Sequence, residues 1–281
     1  MRRKSPIFIG GFNSMLNEFE NYLRQNNLAA NTIHSYLKAI EQFNSLYDAV
    51  TKKNLLSFKG YLIEQYKPKT VNLRLQAINR YLEFLQKDKL KLKFVKIQQQ
   101  NFLENVISDA DYRFFVKKLK ADNRMNWYFI VRYLCATGAR ISELVQIKIE
   151  HVEVGYLDIY GKGGKLRRLY IPKKLRTETL QWLGTTELDS GFLFLNRFGE
   201  RITTRGISHQ LKVFAKEYGI NPDVVYPHSF RHRFAKNFLD KYNDLALLAD
   251  LMGHESIETT RIYLRRTANE QQELVDKIVT W

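Results

Sequence analysis

Residues 156–171, YLDIYGKGGKLRRLYI, interrupt a chain whose apolar residues otherwise recur at helical spacing. Leu157 and Ile159, then Leu166, Leu169 and Ile171, stand among polar neighbours, with Gly161, Gly163 and Gly164 between the two runs. Period-two patterning on both sides of a glycine-rich turn predicts a β-hairpin. Upstream, Ser108-Asp-Ala-Asp111 has the form of a capping box and opens predicted helices near 109–120 and 125–136. Downstream, a short strand is expected at Phe192–Leu195, after which the pattern is helical to the end. This part of the chain is therefore predicted to be mainly α with one small antiparallel β-sheet.

The first hundred residues keep the helical period throughout. Phe12, Leu16, Phe19 and Leu23 form one stripe, Ile33, Tyr36, Leu37, Ile40 and Phe43 a second, Leu55, Phe58 and Leu62 a third, and Leu75, Ile78, Leu82 and Leu85 a fourth. Breaks at Asn26–Asn27, Asp48–Lys53 and Lys67-Pro68-Lys69 separate them into four helices of a small bundle. The run KDKLKLKFVKIQQQ, 87–100, alternates Lys with apolar residues; it reads as a basic interdomain linker, with an edge strand as the alternative. The expected division is a helical domain at 1–90, a linker at 91–103 and a second domain at 104–281.

The 281 residues carry 45 Lys and Arg against 29 Asp and Glu, a net charge of +16. Residues 1–100 hold 17 basic and 7 acidic side chains, a net of +10, which leaves +6 for the remainder. With 44% hydrophobic and 13% aromatic residues, global disorder is excluded. No stretch free of Asp, Glu, Lys and Arg exceeds thirteen residues, short of the roughly 18 apolar residues that a membrane span needs. MRRKSPIFIGGF lacks the apolar core of a secretion signal. One cysteine, Cys135, excludes an internal disulfide, and the six histidines form no HExxH or paired Cys/His spacing, so no metal site is expected. These features predict a cytoplasmic protein without cofactors, and its charge points first to a polyanion.

Four polar clusters lie where a plain core would not want them: Ala136-Thr-Gly-Ala-Arg140-Ile-Ser-Glu143-Leu; Gly161-Lys162-Gly-Gly-Lys165-Leu-Arg167-Arg168; Pro227-His228-Ser-Phe-Arg231-His232-Arg233; and Leu251-Met-Gly-His254 through Thr260-Arg-Ile-Tyr263-Leu. Singly, each has a bland reading: a surface arginine, a solvated hairpin tip, a helix start, a core tyrosine. Their joint occurrence and order resemble the tyrosine recombinase family, most closely its Xer-type and phage-integrase members. ATGARISEL, GKGGKLRRLYIP, HSFRHRFA and LMGHESIETTRIYLR stand in family order with family-like spacing. The likeness spans the chain, because the first bundle resembles the family's SAM-like core-binding domain and the second part its catalytic domain.

The chemistry makes sense of these residue types. Cutting a phosphodiester without metal needs a nucleophile, stabilisation of a phosphorane and a proton for the leaving oxygen. The resemblance makes Tyr263 the nucleophile that carries a covalent 3′-phosphotyrosyl ester. Arg140 and Arg231 offer planar forks to the non-bridging oxygens. His228 and Arg231, three apart on one helix, can face one phosphate. His254 is expected to donate a further hydrogen bond, and His228 to accept the tyrosine proton, although spacing does not separate the two histidine roles. Lys162 is implied as the general acid for the 5′ oxygen, with Lys165 the competing choice. Glu143 either orients a catalytic group or forms a structural ion pair.

Double-stranded DNA is the expected partner. Arg167 and Arg168 beside the hairpin, and Lys69, Arg74 and Arg80 with Arg24 and Lys38 in the first domain, are candidate phosphate contacts. The tail LRRTANEQQELVDKIVTW carries Leu274, Val275, Ile278 and Trp281 as an apolar stripe; the resemblance implies that it docks into a neighbouring subunit, giving a homo-tetramer on two sites that works through a Holliday junction. With the first bundle starting near residue 11, no separate arm-binding domain is expected. A topoisomerase-like enzyme that nicks and reseals shares the chemistry, but the small first domain and the tail argue against it. A non-catalytic DNA-binding protein shares the charge but leaves the ordered Arg, Lys, His, Arg, His and Tyr unexplained.

Overall fold

Asn72 and Asn79 show how the first unit is closed. They lie seven residues apart on one helix, about 10.5 Å at 1.5 Å per residue. Each side-chain amide brackets a backbone residue of the following segment: Asn79 Nδ2 donates to Leu92 O at 2.9 Å and accepts from Leu92 N at 2.8 Å. Asn72 pairs in the same way with Val95, at 2.9 and 2.8 Å. Three residues of extended chain span about 10 Å, so the two spacings match. Lys59 Nζ donates to Lys93 O, and Leu92 is buried in the bundle. Residues 91–97, expected as linker, are thus fastened to the first unit.

The computed structural model describes residues 6–97, 105–160, 166–254, 256–264 and 268–279. The chain divides into two compact units, Met1–Gln99 and Gln100–Trp281. The first is a bundle of α1 (Pro6–Gln25), α2 (Ala30–Leu46), α3 (Lys52–Gln65) and α4 (Pro68–Phe84). The predicted stripes meet in its core, where Phe19, Leu23, Ile40, Phe43, Phe58 and Leu62 are fully buried. Thr51 caps α3 by accepting from Asn54 N, and Pro68 starts α4, where its missing N–H costs nothing.

The second unit runs α5 (Asp109–Ala121), α6 (Met125–Thr137), α7 (Ile141–Leu144), α8 (Ile149–Val154), β1 (Tyr156–Tyr160), β2 (Leu166–Tyr170), α9 (Lys173–Leu183), α10 (Thr204–Glu217), α11 (Pro227–Tyr242), α12 (Leu245–Met252), α13 (Ile257–Arg261), a 3₁₀ turn (Ile262–Leu264) and α14 (Ala268–Ile278). Ser108 caps α5 through Asp111 N at 3.0 Å, as the motif predicts. β1 and β2 pair antiparallel, from Tyr156 with Tyr170 to Tyr160 with Leu166. The hairpin faces its core with the buried cross-strand pair Leu157 and Leu169, and Ile171 follows them inward. Mainly α with one small antiparallel sheet is therefore the observed class. Phe192–Leu195 is not a regular strand: only the isolated bridges Lys148–Phe192 and Leu195–Arg201 form there, while Leu193 and Phe194 are buried. α6 is largely buried and packs against α11, which seats the turn after α6 on that helix. No described helix is long and apolar enough to cross a membrane.

Candidate active site

Gly138 ends α6 in the left-handed conformation, φ +63°. A Cβ there would collide with the Phe234 ring of α11, so the turn sits directly on that helix. Thr137 tightens it, donating to Tyr133 O at 2.7 Å and accepting from Ala139 N at 3.2 Å. Arg140 follows as the N-cap of α7, where Glu143 folds back on it. The carboxylate accepts from Arg140 N at 2.7 Å and from Arg140 Nη1 at 2.8 Å. Arg140 Nη2 donates to Gly253 O at 2.9 Å, which ties this turn to a loop 113 residues later in the chain.

That loop is the end of α12. Gly253 is left-handed, φ +61°, and the bonds His254 N to Ala249 O and Gly253 N to Asp250 O, both 3.0 Å, close a Schellman motif. His254 is thereby presented beside Arg231. Arg231, 3% exposed, donates to Gly138 O, to Met252 O at 2.7 Å and toward His254 Nε2 at 3.0 Å. A guanidinium can only donate, so Nε2 is the acceptor and His254 Nδ1–H donates to Thr260 Oγ1 at 2.8 Å. Burial, followed by the charges of Arg231, Arg140 and Arg167, lowers the His254 pKa to about 4. Burial and Arg140 likewise lower that of Arg231 to about 10. In the free protein His254 is neutral, and neither ring nitrogen has a hydrogen left to donate outward.

Tyr263 lies in the 3₁₀ turn, 6% exposed, among Ala235, Leu239, Leu248 and Met252. Its ring is nearly parallel to His254, with centroids 6.1 Å apart, and tilted against His232 at 5.3 Å. Burial raises the phenol pKa, while the charge of Arg231 and a hydrogen bond from it pull in the opposite direction. His228 is more exposed and lies 6.4 Å from His232; burial and then Arg231 and Arg140 depress its pKa. The expected proton acceptor, His228, therefore stands one ring further out than His232 and His254. His232 has a buried Nδ1 without a hydrogen-bond partner among the described residues, and burial lowers its pKa to about 4. Its position four residues after His228, on the same helical face, was the signal in the sequence.

A cleft of about 1010 Å³ adjoins this cluster, with Arg140, Glu143, Arg167, Gly253 and His254 in its wall and Lys148 and Arg168 further along it, while Arg231 and Tyr263 lie behind that wall. Cationic groups converging on a concave surface suit a phosphate whose charge grows in the transition state. Among the described residues no cluster of three or more His, Cys, Asp or Glu could hold a metal ion.

The remaining candidates fall out differently. Lys162 and Lys165 lie outside the described residues. Arg167, expected to contact phosphate, instead turns inward: its side chain is only 10% exposed, with Nη2 on Glu143 Oε2 at 2.7 Å and Nη1 on Met252 O. Arg168 is exposed but holds Asp158 through two bonds of 2.7 and 2.8 Å and stacks over Tyr156. In the first unit Arg74 lies over the Tyr66 ring at 4.6 Å, Arg80 pairs with Glu83 at 2.6 Å and Arg24 with Glu20 at 2.5 Å. Lys69 and Lys38 are exposed.

The model of the phage integrase family matches residues 105–270. Tyrosine recombinase XerA of Pyrococcus furiosus is 31% identical over 272 residues, covering 94% of this chain and 93% of the relative. Tyrosine recombinase XerD of Listeria innocua is 28% identical over 286 residues, covering 91% and 95%. The Tn1549 transposon integrase, solved in complex with transposon right-end DNA, shares the fold with a TM-score of 0.69 at 16% identity, over 95% of this chain and 99% of that one. The matched span contains the Arg140 turn, the α11 cluster, His254 and Tyr263. The chain belongs to the phage integrase family, the tyrosine recombinases, as an Xer-like member, and is an enzyme of site-specific DNA breaking and rejoining.

Proposed function

We propose that Tyr263 performs the strand cleavage. The observation that carries this reading is one contact network that joins four distant elements: Arg140 to Gly253 O, and Arg231 of α11 to both His254 and Tyr263. Tyr263 Oη attacks the scissile phosphorus, the bond from phosphorus to the 5′ oxygen breaks, and a 3′-phosphotyrosyl ester and a free 5′-hydroxyl result. The phenol proton passes to His228, and the leaving oxygen takes its proton from a lysine of the hairpin, Lys162 before Lys165. Attack of a 5′-hydroxyl on the ester reverses every step, so rejoining needs neither metal nor nucleotide.

An entering phosphodiester competes with His254 for the Arg231 fork. As Arg231 Nη2 transfers to a phosphate oxygen, His254 Nε2 is released, and the adjacent anion favours its protonation. His254 thus becomes the donor that it is not in the free protein. The partner is duplex DNA, held through phosphate contacts that include Lys69, Arg74, Arg80 and Arg168, in the cytoplasm. Four subunits act on two sites and pass through a Holliday junction, joined by α14. What supports that assembly is that every described side chain of α14 is exposed, including Val275, Ile278 and, just beyond it, Val279.

The test is covalent capture. Protein is incubated with a pool of centrally nicked duplexes of random sequence, and adducts that survive SDS are isolated, amplified and sequenced. The reading predicts an adduct on a recurring sequence with the wild type and none with Tyr263→Phe. An adduct that persists in Tyr263→Phe, or a wild type that forms none on any duplex of the pool, overturns it.

A further inference from the structure

Arg167 is the one candidate DNA contact that reaches the active cluster without facing the cleft as a free cation. Its guanidinium bridges two elements: Glu143 Oε2, whose carboxylate also holds the main chain and fork of Arg140, and Met252 O, which also accepts from Arg231. The aliphatic part of the side chain crosses Gly253 so closely that a Cβ there would collide with Arg167 Cδ and lie 3.0 Å from Nη1. Arg140 and Arg231 are therefore held by acceptors that Arg167 holds in turn, and the His254 turn is packed under its stem. The structure assigns Arg167 as a positioning residue, a buried fork that holds Glu143 and the Met252–Gly253 turn so that Arg140, Arg231 and His254 share one phosphate. The assignment rests on the strand-cleavage reading above and replaces a DNA contact by an internal one.

A planar fork is required because the two acceptors belong to different elements and each takes its own N–H. Lysine is a point charge that cannot hold both in fixed directions. Misplacing a catalytic group by about 1 Å can cost on the order of 100-fold in rate. A phosphate contact behaves otherwise: its loss weakens binding and lowers the salt slope by about 0.9 per contact.

The experiment measures single-turnover adduct formation on the captured duplex at saturating DNA, together with the salt dependence of binding, for wild type, Arg167→Met and Arg167→Lys. Each rate is repeated on a duplex with a methylphosphonate at the scissile position, where one non-bridging charge is absent and the aim of the arginines matters less. Expected for Arg167→Met are a rate loss of about 100-fold on the diester, an unchanged salt slope, and a clearly smaller loss on the methylphosphonate. Arg167→Lys is expected to lose about tenfold, between wild type and Met, and answers the question if thermal melts show Arg167→Met unfolded. A fall of about one in the salt slope with a normal saturated rate overturns the assignment in favour of a phosphate contact. Wild-type rates in Arg167→Lys overturn it, as does an equal rate loss on both substrates. If wild type itself forms no Tyr263-dependent adduct, the cleavage reading fails first, and the assignment falls with it.

Discussion

Replacing Glu143 by Gln keeps the shape of the side chain and removes its charge. The carboxylate is 9% exposed and accepts three hydrogen bonds, from Arg140 N at 2.7 Å, Arg140 Nη1 at 2.8 Å and Arg167 Nη2 at 2.7 Å. All three partners are donors, so the amide NH₂ of a Gln must face at least one of them. The Arg140 side chain is 38% exposed and can recover water, so its share is small. The Arg167 side chain is 10% exposed and cannot. A hydrogen bond to a charged group contributes about 1.5–3 kcal/mol, and breaking a buried pair costs up to about 5. The weighted loss is about 3 kcal/mol, which at roughly 2–4 °C per kcal/mol lowers Tm by about 6–12 °C. Calorimetry and urea unfolding of the full chain measure it. Adding Arg167→Met removes the stranded charge, so the double variant should be more stable than the sum of the single losses by about 1–2 kcal/mol. A Glu143→Gln loss below about 1 kcal/mol, or strict additivity, would refute the claim that this carboxylate is the buried hub of the site.

Other consequences follow from single contacts. Gly138→Ala forces a non-glycine residue to φ +63° against the Phe234 ring, and thermal melts should show a loss of about 2–4 kcal/mol. The His232 pKa falls from 6.5 to about 4 on folding, so below pH 6.5 the unfolded chain binds a proton that the folded one refuses. Its stability contribution, complete above pH 6.5, is lost down to about pH 4 and amounts to about 3 kcal/mol; His232→Gln should remove that part of the difference in the pH–stability profile. Asn79→Ala unpairs both polar groups of Leu92, costs about 1–3 kcal/mol and should expose Lys91 and Lys93 to trypsin in the folded protein. Deleting residues 270–281 should leave binding to one DNA site intact, as measured by gel shift, and abolish the complex that holds two.

Much of this was legible in the chain itself. The four stripes of the first bundle, the Ser108 cap and the existence of the hairpin all follow from apolar period and turn chemistry. The order and spacing of Arg140, His228, Arg231, His254 and Tyr263 pointed to the family through its motifs, and the roles given to them rest on that resemblance. What stayed hidden depends on partners distant in sequence. Asn72 and Asn79 look like ordinary helix polar residues until their spacing meets an extended segment. Arg167 reads as a surface cation because nothing local reveals that Glu143 and Met252 O will meet it. The state of His254 follows from an arginine 23 residues earlier and a threonine six residues later. Phe192–Leu195 has strand composition, but with only isolated bridges to pair it, it stays irregular.

The central claim is that one phenol, Tyr263, takes the DNA strand. The direct measurement is to trap the adduct, digest it with trypsin and nuclease, and identify the nucleotide-bearing peptide by mass spectrometry. The expected peptide is Ile262-Tyr-Leu-Arg265, esterified through Tyr263 to a 3′ phosphate, with a free hydroxyl on the opposite 5′ end. The label on any other of the 16 tyrosines, or on a 5′ phosphate, would contradict it.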